Sequence, residues 1–127
     1  MTAAGLVIRS LAFLTKGLDF NLARKICERQ EDLLAISPLS WDENRQDSYY
    51  AYFATLACSV SSQRLKGKSP LPKWRKAAIT LILKGQVKQG PTAGSWDPND
   101  AWGAIAGRVF TTAMHTLSIE NQWRFAR

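Results

Sequence analysis

Apolar residues are distributed along this chain in two different ways. Residues 3–14 are apolar on nearly every side, interrupted at Arg9 and Ser10, and a helix greasy all round is one buried between layers. Lys16 and Gly17 end it, glycine suiting the left-handed residue after a helix terminus. The next helix, capped by Asp19 or Asn21 and running to about residue 35, is one-sided. Leu22, Ile26, Leu33 and Leu34 form its apolar side, and Arg24, Lys25, Glu28, Arg29, Glu31 and Asp32 face water. Ser37-Pro38 stops it, and a polar connector covers residues 40–46. Asp47 or Ser48 then caps a second all-round apolar helix, with Tyr49, Phe53, Leu56 and Val60 on one stripe and Tyr50, Ala54, Ala57 and Ser61 on another. After a Ser-, Lys- and Gly-rich loop, Pro70 or Pro72 opens a one-sided helix over residues 73–88. Trp74, Ala77, Ala78, Leu81 and Ile82 point inward there, and Lys73, Arg75, Lys76, Lys84 and Lys88 outward. A Gly- and Trp-rich loop over 89–106 leads to a final helix at about 107–121, apolar on most faces. No window alternates with period two, so the chain is expected to be all-α.

The greasy helices begin at Thr2, Tyr49 and Arg108, 47 and 59 residues apart. Alternation of all-round apolar and one-sided helices describes two tiers, inner helices touched on both sides and outer ones on one. The expected architecture is a single domain over 1–127: a partial α/α array of about five helices. Its hairpins lie at about 2–35 and 47–89, followed by the loop and the last helix. Each hairpin needs a neighbour to bury its inner face.

The most specific stretch is Gln86, then Gly94-Ser95-Trp96-Asp97-Pro98, Trp102-Gly103, and Gly107-Arg108-Val109-Phe110-Thr111-Thr112-Ala113 running on to Glu120. It resembles the end of an α/α-toroid repeat array, the group of the squalene-hopene cyclases, protein prenyltransferases and bacterial prenyltransferase/squalene-oxidase-repeat proteins. The likeness extends across the chain and is nearest to the terminal repeats of the bacterial group. It implies a toroid fold and a clamp between adjacent repeats in which Gln86 pairs with Trp96, with Gln89 as a competing partner. Independently of that resemblance, glycines at 94, 103 and 107 permit tight turns or positive φ, and Trp96 offers a large apolar face with one N–H to satisfy. Arg108, at the start of a helix read as buried, needs an anionic partner, with Asp47, Asp97 and Asp100 as candidates.

Charge changes the picture locally. The chain carries 17 Lys plus Arg against 10 Asp plus Glu, a net charge of +7. Residues 48–95 hold no acid at all but include Arg64, Lys66, Lys68, Lys73, Arg75, Lys76, Lys84 and Lys88. Arg64, Lys66, Lys68, Lys73, Arg75 and Lys76 are the candidate anion-binding set, against the simpler reading of a solvated face. Nucleic acid is disfavoured as the partner because only Trp74 sits among these cations, too few aromatics for base stacking.

Candidate chemistry is sparse. The acidic Asp-x-Asp-Asp cluster that protonates an alkene in the cyclases has no counterpart; Asp97-Pro98-Asn99-Asp100 reads as a turn rather than a cation site. Cys27, Cys58 and His115 fall in different hairpins, so no metal set is expected, and His115 reads as a hydrogen-bonded core residue. No cofactor is implied. No apolar run reaches the roughly 20 residues of a membrane span. The first residues lack a basic leader region and Arg9 breaks the apolar stretch, so no signal peptide is assigned and the cytoplasm is the default compartment. Two hairpins and one helix cannot close a ring, and an open array exposes an apolar face. The expected function is therefore that of a non-catalytic helical-repeat module that self-associates or docks onto another repeat protein. The alternatives are a remnant or subunit of a terpenoid-cyclase-like enzyme holding a prenyl or other apolar ligand, and an anion- or nucleic-acid-binding module using residues 64–88.

Overall fold

The computed structural model describes residues 3–5, 7, 8, 20–37, 39, 47–62 and 71–124. The fold is all-α. Residues 3–5, 7 and 8 belong to a first helix, α1. Four further helices follow: α2 (Phe20–Ala35), α3 (Ser48–Ser62), α4 (Leu71–Lys84) and α5 (Gly103–Arg124). Among the described residues there is no strand. Asp19, Arg64, Lys66 and Lys68 lie outside the described residues.

Helix starts follow from local chemistry. Asp47 caps α3, its Oδ1 accepting the Tyr50 N–H at 2.7 Å, while Pro72 in the first turn of α4 has no N–H to leave unpaired. The last two helices differ from the pattern-based limits. α4 stops at Lys84 rather than near residue 88, because Gly85 and Gln86 turn the chain out of the helix. α5 begins at Gly103 rather than near 107, because Asp100 already provides its N-cap. Gly107 then interrupts it, at φ 82° and ψ −179°.

α3 packs against both α4 and α5, α2 packs against α4, and α4 touches α5. The apolar core gathers Leu34 of α2, Ala54 and Ala57 of α3, and Leu71, Trp74 and Ile82 of α4, all buried. The C-terminal end of α2 is tied to both neighbours through one atom. The Ser37 carbonyl accepts Tyr50 Oη at 2.8 Å and Trp74 Nε1 at 3.0 Å, and the two rings meet edge-on at 6.3 Å.

Three helices bury faces other than the expected ones. In α2, Ile26 and Leu33 are exposed while Gln30 and Glu31 are buried beside Leu34. The covered face is fixed by neighbours, since α4 packs on α2 and a Cβ on Gly5 of α1 would come 3.3 Å from Gln30 Nε2. In α4, Ala77 faces solvent and Ile79 is buried in its place. α5 was expected to bury apolar residues on most sides. Instead its covered face is Thr111, His115, Ser118 and Asn121, and Ile105 and Val109 are 87 % and 84 % exposed.

Candidate functional site

The buried face of α5 meets a matching face of α3. Ser48, Ala51, Thr55 and Ser59 are all fully buried, and their 3-, 4- and 4-residue spacing places them along one side of the helix. Small side chains let the two backbones approach, and hydrogen bonds then satisfy what is buried. Asn121 Nδ2 donates to Thr55 Oγ1 at 3.2 Å, and Ser59 Oγ donates to the Asn121 carbonyl at 2.9 Å. The seam is thus joined by polar contacts as well as by packing, and each partner removed would leave a buried group without its bond.

At the upper end of this seam one carboxylate holds two helices. Asp100 Oδ2 accepts the backbone N–H of Ser48, the first residue of α3, at 2.7 Å, and Oδ1 accepts the N–H of Gly103 at the start of α5. Both are orphan donors of helix N-termini, where the backbone dipoles favour a negative charge. Burial pushes the Asp100 carboxyl up, but hydrogen bonds from Ser48 and Gly103, with His115 nearby, outweigh it and hold the group below its usual range. Gly103 is required here by space. A Cβ on it would lie 2.5 Å from Thr111 Oγ1 and 2.9 Å from both Asp100 Oδ1 and the Pro98 Cα.

His115 lies below this cap, fully buried, with its ring 5.5 Å from that of Trp96. Burial lowers its pKa from 6.5 to about 4, the Asp100 charge opposing the shift, so the imidazole is neutral at physiological pH. Trp96 is 3 % exposed; its Nε1 donates to the Ile82 carbonyl of α4 at 2.7 Å, and its backbone N–H donates to Thr112 Oγ1 of α5 at 3.2 Å. It therefore plugs the joint between α4 and α5.

The loop that delivers Trp96 is internally bonded. Val87 and the 94–95 segment pair through their backbones, Val87 N–H to Ser95 O and Gly94 N–H to Val87 O, both at 2.8 Å. Gly94 (φ 87°) and Gly107 (φ 82°) occupy the left-handed region that favours glycine. Gln86 Nε2 donates to the Gly94 carbonyl at 2.9 Å, so its bond secures the loop carrying Trp96, and Gln89 is exposed. Arg108 pairs with Asp97, one of its three candidate partners, and also donates to Ser95 Oγ at 3.0 Å. Its side chain is 35 % exposed, so the pairing is a partly solvated one at the helix surface rather than the buried ion pair expected. Trp102 is half-exposed and stacks on Tyr49 at 5.4 Å.

The remaining candidates lie elsewhere. Cys58 is buried in α3; burial pushes its thiol up to about 12, with Arg75 opposing and Glu31 reinforcing the shift. Lys73, Arg75 and Lys76 stand on the outer side of α4, remote in sequence and role from the Trp96 joint, with Lys73 and Lys76 exposed and Arg75 half-buried. No helix among the described residues is long and apolar enough to cross a membrane. The double cap by Asp100 and the polar seam were not anticipated from the sequence. The Thr111, His115, Ser118 spacing was available as a signal, yet it was masked by the apolar residues between them. No family model, no curated protein and no solved structure matches the chain.

Proposed function

We propose that this chain is a non-catalytic helical-repeat module whose work is association, built like the end of an α/α-toroid of the squalene-cyclase and prenyltransferase type. The pairing of α3 with α5 and of α2 with α4 supports a two-tier layout. Among the described residues, Asp100 is engaged in capping and Asp97 with Arg108, and His115 is buried inside the seam.

The observation that carries the reading is the solvent side of α5. Ile105 and Val109, four residues apart near its start, are 87 % and 84 % exposed, close in the chain to the exposed Trp102, whose ring lies 5.4 Å from that of Tyr49. Exposed apolar side chains grouped in this way tend to be covered by a partner. Sedimentation velocity across the micromolar range should show a reversible self-associated species, and Ile105→Glu with Val109→Glu should convert it to monomer. A single monomeric boundary at every concentration would remove self-association as the work of this face.

A further inference from the structure

A second surface, unrelated to the α5 face, carries its own information. Along the outer side of α4, Lys73, Lys76, Ala77, Thr80 and Leu81 line an open groove of about 570 Å³. Lys73, Lys76, Ala77 and Thr80 are exposed and Leu81 half-buried, and Lys84 continues the row of cations one turn further on. The spacing of 73, 76, 77, 80 and 84 is that of one helix face. Lys73, Lys76 and Lys84 form no ion pair among the described residues, and residues 48–95 contain no acid.

Three features decide what such a face accepts. Its floor is apolar, made by Ala77 and Leu81, so a polyanion presenting only phosphates would leave that floor wet. Trp74, the aromatic residue of the helix, is buried and donates its N–H to Ser37, so it offers no stacking platform for bases. A face that enters a bilayer projects bulky apolar residues beyond its cations, whereas the apolar strip here is Ala77 and half-buried Leu81 among exposed lysines. A small apolar strip with a cationic rim instead receives an aliphatic side chain flanked by carboxylates.

We propose that the outer face of α4 is a docking groove for an acidic amphipathic helix of a protein partner, an aliphatic residue seating on Ala77 and Leu81 and flanking Asp or Glu side chains pairing with Lys73, Lys76 and Lys84. The test is fluorescence anisotropy with a labelled synthetic helix bearing one leucine per turn flanked by glutamates. Its probes for comparison are a scrambled peptide of identical composition, a DNA duplex and phosphatidylserine vesicles. The patterned peptide should bind, weaken as salt rises, and bind at least about tenfold more tightly than the scrambled one. Lys73→Glu with Lys76→Glu should abolish that preference. Lys76→Gln should weaken binding less, and Ala77→Gln, which fills the floor without changing charge, should weaken it too. Equal binding of both peptides, indifference to these substitutions, or binding of DNA or vesicles without the peptide would overturn the proposal.

Discussion

Replacing Trp96 by alanine tests the joint between α4 and α5 directly. The side chain is 3 % exposed and fills the space between the α4 end, His115 and α5. Large-to-small changes of a buried aromatic destabilise by about 3–5 kcal/mol, the lost transfer term plus the cavity left behind. Within that sum, the Nε1 bond to the Ile82 carbonyl, 2.7 Å long, contributes about 1 kcal/mol. Trp96→Phe separates the two parts, retaining most of the ring packing while removing the indole donor from that carbonyl, which keeps the Gly85 N–H at 3.1 Å, and should lower stability by about 1–2 kcal/mol. Against a total stability of about 5–15 kcal/mol for a domain, the alanine change consumes a large share. At about 4 °C per kcal/mol for a chain of this size, the midpoint of a thermal melt followed by circular dichroism should fall by about 12–20 °C. Trp123, 76 % exposed, is the control, and Trp123→Ala should shift stability by less than about 0.5 kcal/mol. An alanine variant at position 96 within about 1 kcal/mol of wild type would refute the idea that Trp96 locks this joint.

Other substitutions probe the rest of the seam. Asp100→Ala removes the acceptor for two helix N-termini at once and should destabilise by about 2–4 kcal/mol in urea titrations, whereas Asp47→Ala, which loses one cap bond, should do so by about 1 kcal/mol. Lowering the pH should weaken the fold through His115. Its folded pKa of about 4 lies below its ordinary 6.5, so the unfolded chain binds more protons between those values. The stabilisation is then present in full above pH 6.5 and lost as pH falls toward 4, a contribution of about 3 kcal/mol; a urea midpoint that stays level over that window would contradict it. Gly107→Ala places a side chain at φ 82° and should destabilise by about 1–3 kcal/mol in the same assay, although a Cβ there meets no atom within 4 Å.

Much of the helical framework is legible in the residues, and the places where it is not share one cause. Caps, breakers and hydrophobic periodicity are local properties: Asp47 bonds to Tyr50 three residues on, and Gly94 turns the chain by its own φ. A helix that is mixed on several faces does not state which face will be covered. α2 offered Ile26 and Leu33 as core residues, but contact with α1 and α4 covered Gln30 and Glu31 instead. In α5 the abundance of apolar residues suggested burial all round, whereas close approach to α3 selected its small polar side.

By itself, then, the amino-acid order determined that the chain is helical, where α2 ends, that Trp96 belongs in a joint, and that Arg108 needs an anionic partner. Those properties depend on neighbours a few residues away or on the character of one side chain. Only the tertiary structure decided that Asp97 is that partner, that Asp100 also caps α3, whose first residue lies 52 positions before it, and which faces of α4 and α5 remain in water. These depend on which backbones come together, and small residues on two distant helices settle that jointly.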